Sequence, residues 1–228
     1  MKGDFIMSNL KKWNQVDTYI TNQLLPKDPI FEEILATNAE ADLPAIDVAP
    51  NQAKFLHLLA LIQGAKRILE VGTLGGYSTI WLARSLPEDG HLVTLELENH
   101  HAEVAKLNIV RAGLSNLVEV RTGPALETMS NLYNEGAEPF DMIFIDADKQ
   151  NNAEYLKWAL KLARKGTVII GDNVVRNGEI VNSISTDSNV QGVRRFFDTL
   201  ASEPLLSSTA IQTVGSKGYD GFSISVVL

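Results

Sequence analysis

The run Ile68-Leu69-Glu70-Val71-Gly72-Thr73-Leu74-Gly75-Gly76-Tyr77-Ser78 carries the reading that decides the fold. A stretch with strand character ends in a turn holding Gly72, Gly75 and Gly76, and an apolar helical pattern over residues 77–86 comes next. Strand, tight turn and helix form the opening unit of an open α/β sheet. Glycines in the turn let the backbone approach a ligand closely, and the start of the next helix offers free N–H groups. Their spacing departs from G-x-G-x-x-G, which argues against a dinucleotide pyrophosphate. A turn with only a packing role is the alternative at this point.

Outward from this unit the alternation repeats. Short β-rich runs fall at 67–71, 92–96, 118–120, 142–145 and 168–170, separated by helical stretches at 77–86, 100–112, 125–133 and 154–163. That order implies a parallel sheet with helices on both faces. Ahead of it, residues from about 8 to 63 read as a helical cap: Trp13, Val16, Tyr19, Ile20 and Leu24 recur at helical spacing, and Pro26 and Pro44 punctuate. After a helix from Asn189 to Leu200 come two last β-like runs, 208–214 and 221–227, close enough for an antiparallel hairpin. The expectation is one domain over 1–228, with an α/β core over 64–228.

Composition narrows the chemistry. The 228 residues carry 20 basic and 28 acidic side chains, a net charge of −8, and no cysteine. Disulfides, thiolate metal sites and a Cys nucleophile are excluded, which leaves oxygen and imidazole ligands for a metal. An acidic chain with scattered lysines is a poor partner for a phosphate backbone. No apolar stretch approaches the roughly 20 residues that span a bilayer, so the expectation is a cytoplasmic protein with no membrane partner.

Five residues stand out as chemistry. Twenty residues after Gly76 comes Glu96, at the end of the second β-rich run. An acid there reaches a ribose diol, accepting hydrogen bonds on its carboxylate oxygens. The fourth run leads into Asp146-Ala147-Asp148-Lys149 and the fifth into Asp172-Asn173. Open parallel sheets bind ligands beyond the carboxyl ends of their strands, so Asp146, Asp172 and Asn173 would converge on one crevice. Two carboxylates and an amide carbonyl suit magnesium, manganese or calcium. Lys149 is near enough to share the crevice, where partial burial beside a cation suits an amine to accept a proton; an ordinary surface lysine is the alternative. His57 reads as half-buried and His100 and His101 as solvated, with no role assigned. Trp13, Trp81 and Trp158 read as core. No Gly-x-Ser-x-Gly is present, which disfavours serine-hydrolase chemistry.

Residues 69–78, Phe144-Ile145-Asp146-Ala147-Asp148-Lys149 and Gly171-Asp172-Asn173-Val174 together resemble the cation-dependent O-methyltransferases of the catechol and caffeoyl-CoA type. The likeness runs from about Trp13 to Gly218-Tyr219-Asp220-Gly221-Phe222. It implies a Rossmann-like, doubly wound, mostly parallel seven-stranded sheet with an antiparallel last strand, binding S-adenosylmethionine. Carried over by position, Glu70, Gly72, Thr73 and Ser78 match cofactor contacts in the glycine motif and Glu96 matches the ribose-binding acid. Val48 matches a contact to the cofactor's amino-acid end, and Ala125 the adenine side. Asp146 matches a residue touching both cofactor and metal, Asp172 and Asn173 complete the metal set, and Lys149 is the catalytic base. Two departures stand against transferring a substrate: Asn152 replaces an aromatic of the plant branch, and Ala147-Asp148 replaces His-Trp of the catechol branch. Asn177 matches a position near the plant substrate.

The implied function is methylation of one hydroxyl of a catechol-like, ortho-dihydroxy aromatic small molecule, dependent on S-adenosylmethionine and a divalent cation, with magnesium foremost. A homodimer is the expected assembly. One alternative is a tRNA hydroxyuridine O-methyltransferase, with Arg194-Arg195 as its adjacent basic pair; another is a non-catalytic cofactor-binding protein.

Overall fold

The computed structural model describes residues 2–228, in which seven strands form one sheet in the order β3-β2-β1-β4-β5-β7-β6. Three helices come first: α1 (Lys2–Leu24), α2 (Pro29–Glu40) and α3 (Pro50–Gln63). The side chain of Asp28 caps α2 by accepting a hydrogen bond from Ile30 N at 3.0 Å, and Pro29 and Pro50 occupy the first turns of α2 and α3, where a missing N–H costs nothing. α1 begins ahead of the expected boundary near residue 8.

Strand and helix then alternate: β1 (Arg67–Val71), α4 (Tyr77–Ala83), β2 (His91–Glu96), α5 (Asn99–Arg111), β3 (Val118–Thr122), α6 (Ala125–Asn134), β4 (Phe140–Ile145), α7 (Asn152–Lys161), β5 (Ala163–Asp172), α8 (Ser188–Ser202), β6 (Leu206–Gly215) and β7 (Gly218–Val227). Strands β1 to β5 are mutually parallel; β7 runs antiparallel to β5 and to β6. The expected mostly parallel sheet with an antiparallel last strand is thus observed. Several boundaries differ. α4 stops at Ala83 and α7 at Lys161, short of the expected 86 and 163; β5 starts five residues early, at Ala163, and the closing hairpin extends to Gly215 and Gly218. The early part of β5, Ala163-Arg164-Lys165-Gly166, is polar and largely exposed, so it lacks the apolar signature of a buried strand.

Side chains alternate across the sheet and build two cores. Leu69, Val71, Leu95, Ile143 and Ile145 face α6, α7 and α8, whereas Ile68, Leu92, Met142, Phe144 and Ile170 face α2 to α5. Glu70 lies on the second face and is fully buried. Of the tryptophans, only Trp81 is buried, stacked on Phe31 at 4.2 Å; Trp13 and Trp158 are half-buried. Among the described residues no helix is long and apolar enough to cross a membrane.

Strand register fixes which residues leave the sheet side by side. Val71 sits opposite Leu95 and Ile145, and Ile145 opposite Gly171. The next residue of each strand therefore falls in one row across the sheet: Glu96, Gly72, Asp146 and Asp172.

Candidate active site

A cleft of about 710 Å³ opens above that row, at the carboxyl ends of the parallel strands. Val48, Gly72, Thr73, Ser78, Glu96, Ala125, Asp146, Lys149 and Asn173 all line it. Two sequence-derived candidates do not. Glu70 lies beneath the glycine turn and Asp172 is only 3% exposed at the cleft floor.

The turn after β1 owes its shape to Gly72, whose φ of 103° is open to glycine and strained for other residues. A Cβ there would lie 2.1 Å from the carbonyl oxygen of Asp146. Glu70 braces the turn from below: its carboxylate accepts from Ser78 Oγ at 2.6 Å, from Thr94 Oγ1 at 2.7 Å and from Thr79 Oγ1. Burial pushes Glu70 up to about 7 even though these three hydroxyls favour its charged form, and the charge of Asp146 adds to the rise. Its contact with the cleft is through Ser78 and through Thr94, which shares a hydrogen bond of 2.6 Å with Thr73.

Glu96 also works on the turn. Its Oε2 accepts from Leu74 N at 2.8 Å and Thr73 N at 3.2 Å, and its Oε1 from Glu98 N at 3.0 Å. An ionised carboxylate offers about four lone-pair sites, so capacity remains for a ligand hydroxyl. His101 Nδ1 stands 3.5 Å from Oε1 and lines the same wall, which corrects its reading as a solvated residue; His100 is exposed, and His57 is half-buried as expected. From the other side, Asn38 donates to Asp47 Oδ1 at 3.0 Å and accepts from Asn108, which also donates to the Gly75 carbonyl. This chain of amides joins α2 and α5 to the glycine turn and presents Asp47 and Val48 to the cleft.

At the β4–β5 end, Lys149 Nζ donates to Asp146 Oδ1 at 2.8 Å and is only 6% exposed. The surface alternative for Lys149 does not describe its position. It rides on a 3₁₀ turn, Lys149–Asn151, clamped by α8: a Cβ on Gly192 would lie 2.2 Å from the Lys149 carbonyl oxygen. Asp172 accepts from Asn173 N at 2.7 Å, and Asn173 takes a left-handed φ of 55°, which asparagine tolerates. Burial first, then the neighbouring Asp146 charge, hold the Asp172 carboxyl well above the ordinary range, with Lys149 opposing. Two mutually repelling carboxylates in a water-poor crevice, with an amide beside them, form a hard oxygen donor set that a divalent cation would relieve. Among the described residues no three His, Asp or Glu side chains gather as a metal cluster, so the set depends on the Asn173 carbonyl.

The sequence reading assigned no role to several lining residues. Asp148 is gripped by Tyr155 Oη and by Asn151 Nδ2, and all three face the cleft, as does Arg176. Tyr155 lies two helical turns beyond Asp148, a spacing visible in the sequence, but nothing there points it inward. Asn177 is exposed and does not line the cleft.

A family model described as O-methyltransferase matches residues 22–218. A catechol O-methyltransferase of Niastella koreensis is 51% identical over 221 residues, covering 96% of this chain and 99% of the relative. An O-methyltransferase from Bacillus cereus, solved in complex with SAH, superposes with a TM-score of 0.95 at 60% identity, over 96% of this chain and 100% of that one. The Streptomyces achromogenes O-methyltransferase TomG, involved in tomaymycin synthesis and solved with SAM, gives 0.92 at 47% identity, over 96% and 98%.

Proposed function

The chain belongs to the O-methyltransferase family of S-adenosylmethionine-dependent enzymes, and from that premise we propose that it methylates one hydroxyl of an ortho-dihydroxy aromatic small molecule with the help of a divalent cation. The observation that carries this reading is the row Glu96, Gly72, Asp146 and Asp172 at one sheet edge, extended by Lys149 and Asn173. Bound S-adenosylmethionine would supply an electrophilic methyl carbon, and Asp146, Asp172 and Asn173 would hold a hard cation whose positive charge would favour an ionised hydroxyl.

The chain's own residues do the rest. Glu96 would accept from ribose hydroxyls while holding Thr73 and Leu74, and Gly72 lets the turn pack directly against the Asp146 backbone. Val48 and Ala125, which line the cleft, would contact the cofactor's amino-acid and adenine ends. Lys149, whose Nζ lies 2.8 Å from Asp146 Oδ1 at the acceptor's end of the cleft, takes the acceptor's proton. Lys149 and Asp172 are themselves largely withdrawn from water, which strengthens their electrostatic effect on a bound acceptor.

A small acceptor fits better than RNA. The cleft is rich in carboxylates, and the adjacent pair Arg194 and Arg195 already donates to the carbonyls of Asn182 and Gln150. The test is a mass-spectrometric screen of ortho-dihydroxy aromatics with S-adenosylmethionine and magnesium, repeated in EDTA. A singly methylated product that disappears with chelation and returns with magnesium or manganese is expected. Full turnover in excess EDTA would remove the cation from the mechanism.

A further inference from the structure

The chain has eight arginines, and among the described residues seven spend their guanidinium on protein partners: Arg67, Arg84, Arg111, Arg121 and Arg164 on carboxylates, and Arg194 and Arg195 on backbone carbonyls. Arg176 alone has no side-chain hydrogen bond and no ion pair among the described residues, although it is half-buried and lines the cleft. A cation withdrawn partly from water without an acceptor is costly, and such a group is ready to take an anion.

Its place is held with some strain. Arg176, Asn177 and Gly178 have φ of 53°, 55° and 84°, three successive left-handed residues, where the two non-glycines each cost about 1 kcal/mol or more. Asp220 from the closing hairpin pins this turn, its Oδ1 accepting from Val175 N at 2.9 Å and Arg176 N at 3.0 Å. The turn comes after Asn173 at the end of β5, so Arg176 belongs to the β4–β5 end of the cleft. Glu96 and Ala125 belong to the opposite end, beyond β2 and β3. With the nucleoside at Glu96, the Arg176 end is the acceptor's.

We propose that Arg176 selects acceptors bearing a carboxylate, so that the substrate class is ortho-dihydroxy aromatic acids. The inference rests on the methyltransferase reading and deepens it. A guanidinium offers a planar fork that matches the two oxygens of a carboxylate. The rest of the cleft is hostile to an anion, since Asp47, Glu96, Glu98, Asp146 and Asp148 all line it and Lys149 is already paired with Asp146. An acid therefore enters only where Arg176 compensates its charge.

The test compares 3,4-dihydroxybenzoate with its methyl ester, which keeps the ring and both hydroxyls. Wild-type enzyme with S-adenosylmethionine and magnesium should favour the acid in kcat/KM. Arg176→Met should lower the acid-to-ester ratio by about 10- to 100-fold, the usual worth of a hydrogen-bonded charge pair, with Arg176→Lys between the two. Calorimetric affinities for the product-like 4-hydroxy-3-methoxybenzoate and its ester should shift in the same ratio, a readout independent of turnover. A ratio unchanged within twofold in both variants overturns the proposal and leaves the methyltransferase reading standing. A wild-type enzyme that binds S-adenosylmethionine yet methylates neither compound overturns both.

Discussion

Lys149 is buried, paired with Asp146 and three residues from it, so replacing it removes both an amine and half of an ion pair. If it receives the acceptor's proton, Lys149→Ala should lower turnover about 10²- to 10⁴-fold with little change in cofactor affinity. Nitro-substituted catechols, whose hydroxyl is already acidic, should lose least; a uniform loss across acceptors of differing acidity would make Lys149 a positioning residue. Beyond the ribose contact proposed for it, the Glu96 carboxylate ties Thr73 and Leu74, which the sequence did not reveal. Glu96→Ala is expected to weaken S-adenosylmethionine binding by about 1–3 kcal/mol in isothermal titration, with a fall in Tm from the loosened turn. Wild-type affinity would show that the ribose is bound elsewhere.

Between elements, the contact of α8 with the turn that bears Lys149 is a tight constraint on that end of the cleft. Gly192 sits on a buried helix face where any side chain would strike the Lys149 carbonyl. Gly192→Ala should therefore displace the 149–151 turn: kcat falls at least tenfold, whereas S-adenosylmethionine affinity, which we assign to β1, β2 and the glycine turn, stays near wild type. Equal loss of both would mean that the substitution disturbs the whole sheet. The same element scale explains what was legible. Strands β1, β2 and β4 declare themselves by short runs of mostly apolar residues, while the first part of β5 is polar because it lies largely outside the core. Tyr155 and Arg176 reach the cleft only through the angle of α7 and the left-handed turn after β5, and neither is encoded in a local pattern.

Across the molecule, Asp141 joins three distant stretches. It accepts from Lys66 N at 2.8 Å and Arg67 N at 3.0 Å, and pairs with Arg164. Burial works to raise its carboxyl, but these donors outweigh it and hold it below the usual range. A carboxylate depressed in the folded state adds stability that is present above its unfolded value, about 3.9, and is lost as pH falls through the folded one. Asp141→Asn should accordingly cost about 1–2 kcal/mol in urea unfolding at pH 7, and the gap to wild type should narrow toward pH 3. A gap independent of pH would place the effect in packing.

The sequence by itself determined the class of fold and the chemical kinds at the site. Strand–helix alternation and the glycine turn come from local periodicity and backbone freedom, and the Asp-Ala-Asp-Lys and Gly-Asp-Asn runs name their own chemistry. Only the tertiary structure decided which of these groups meet. The strand register places Glu96, Gly72, Asp146 and Asp172 in one row, burial removes Glu70 and most of Asp172 from the surface, and α8 clamps Lys149 beside Asp146. Pairing and burial are properties of contacts between residues far apart in the chain, and local sequence carries no measure of them.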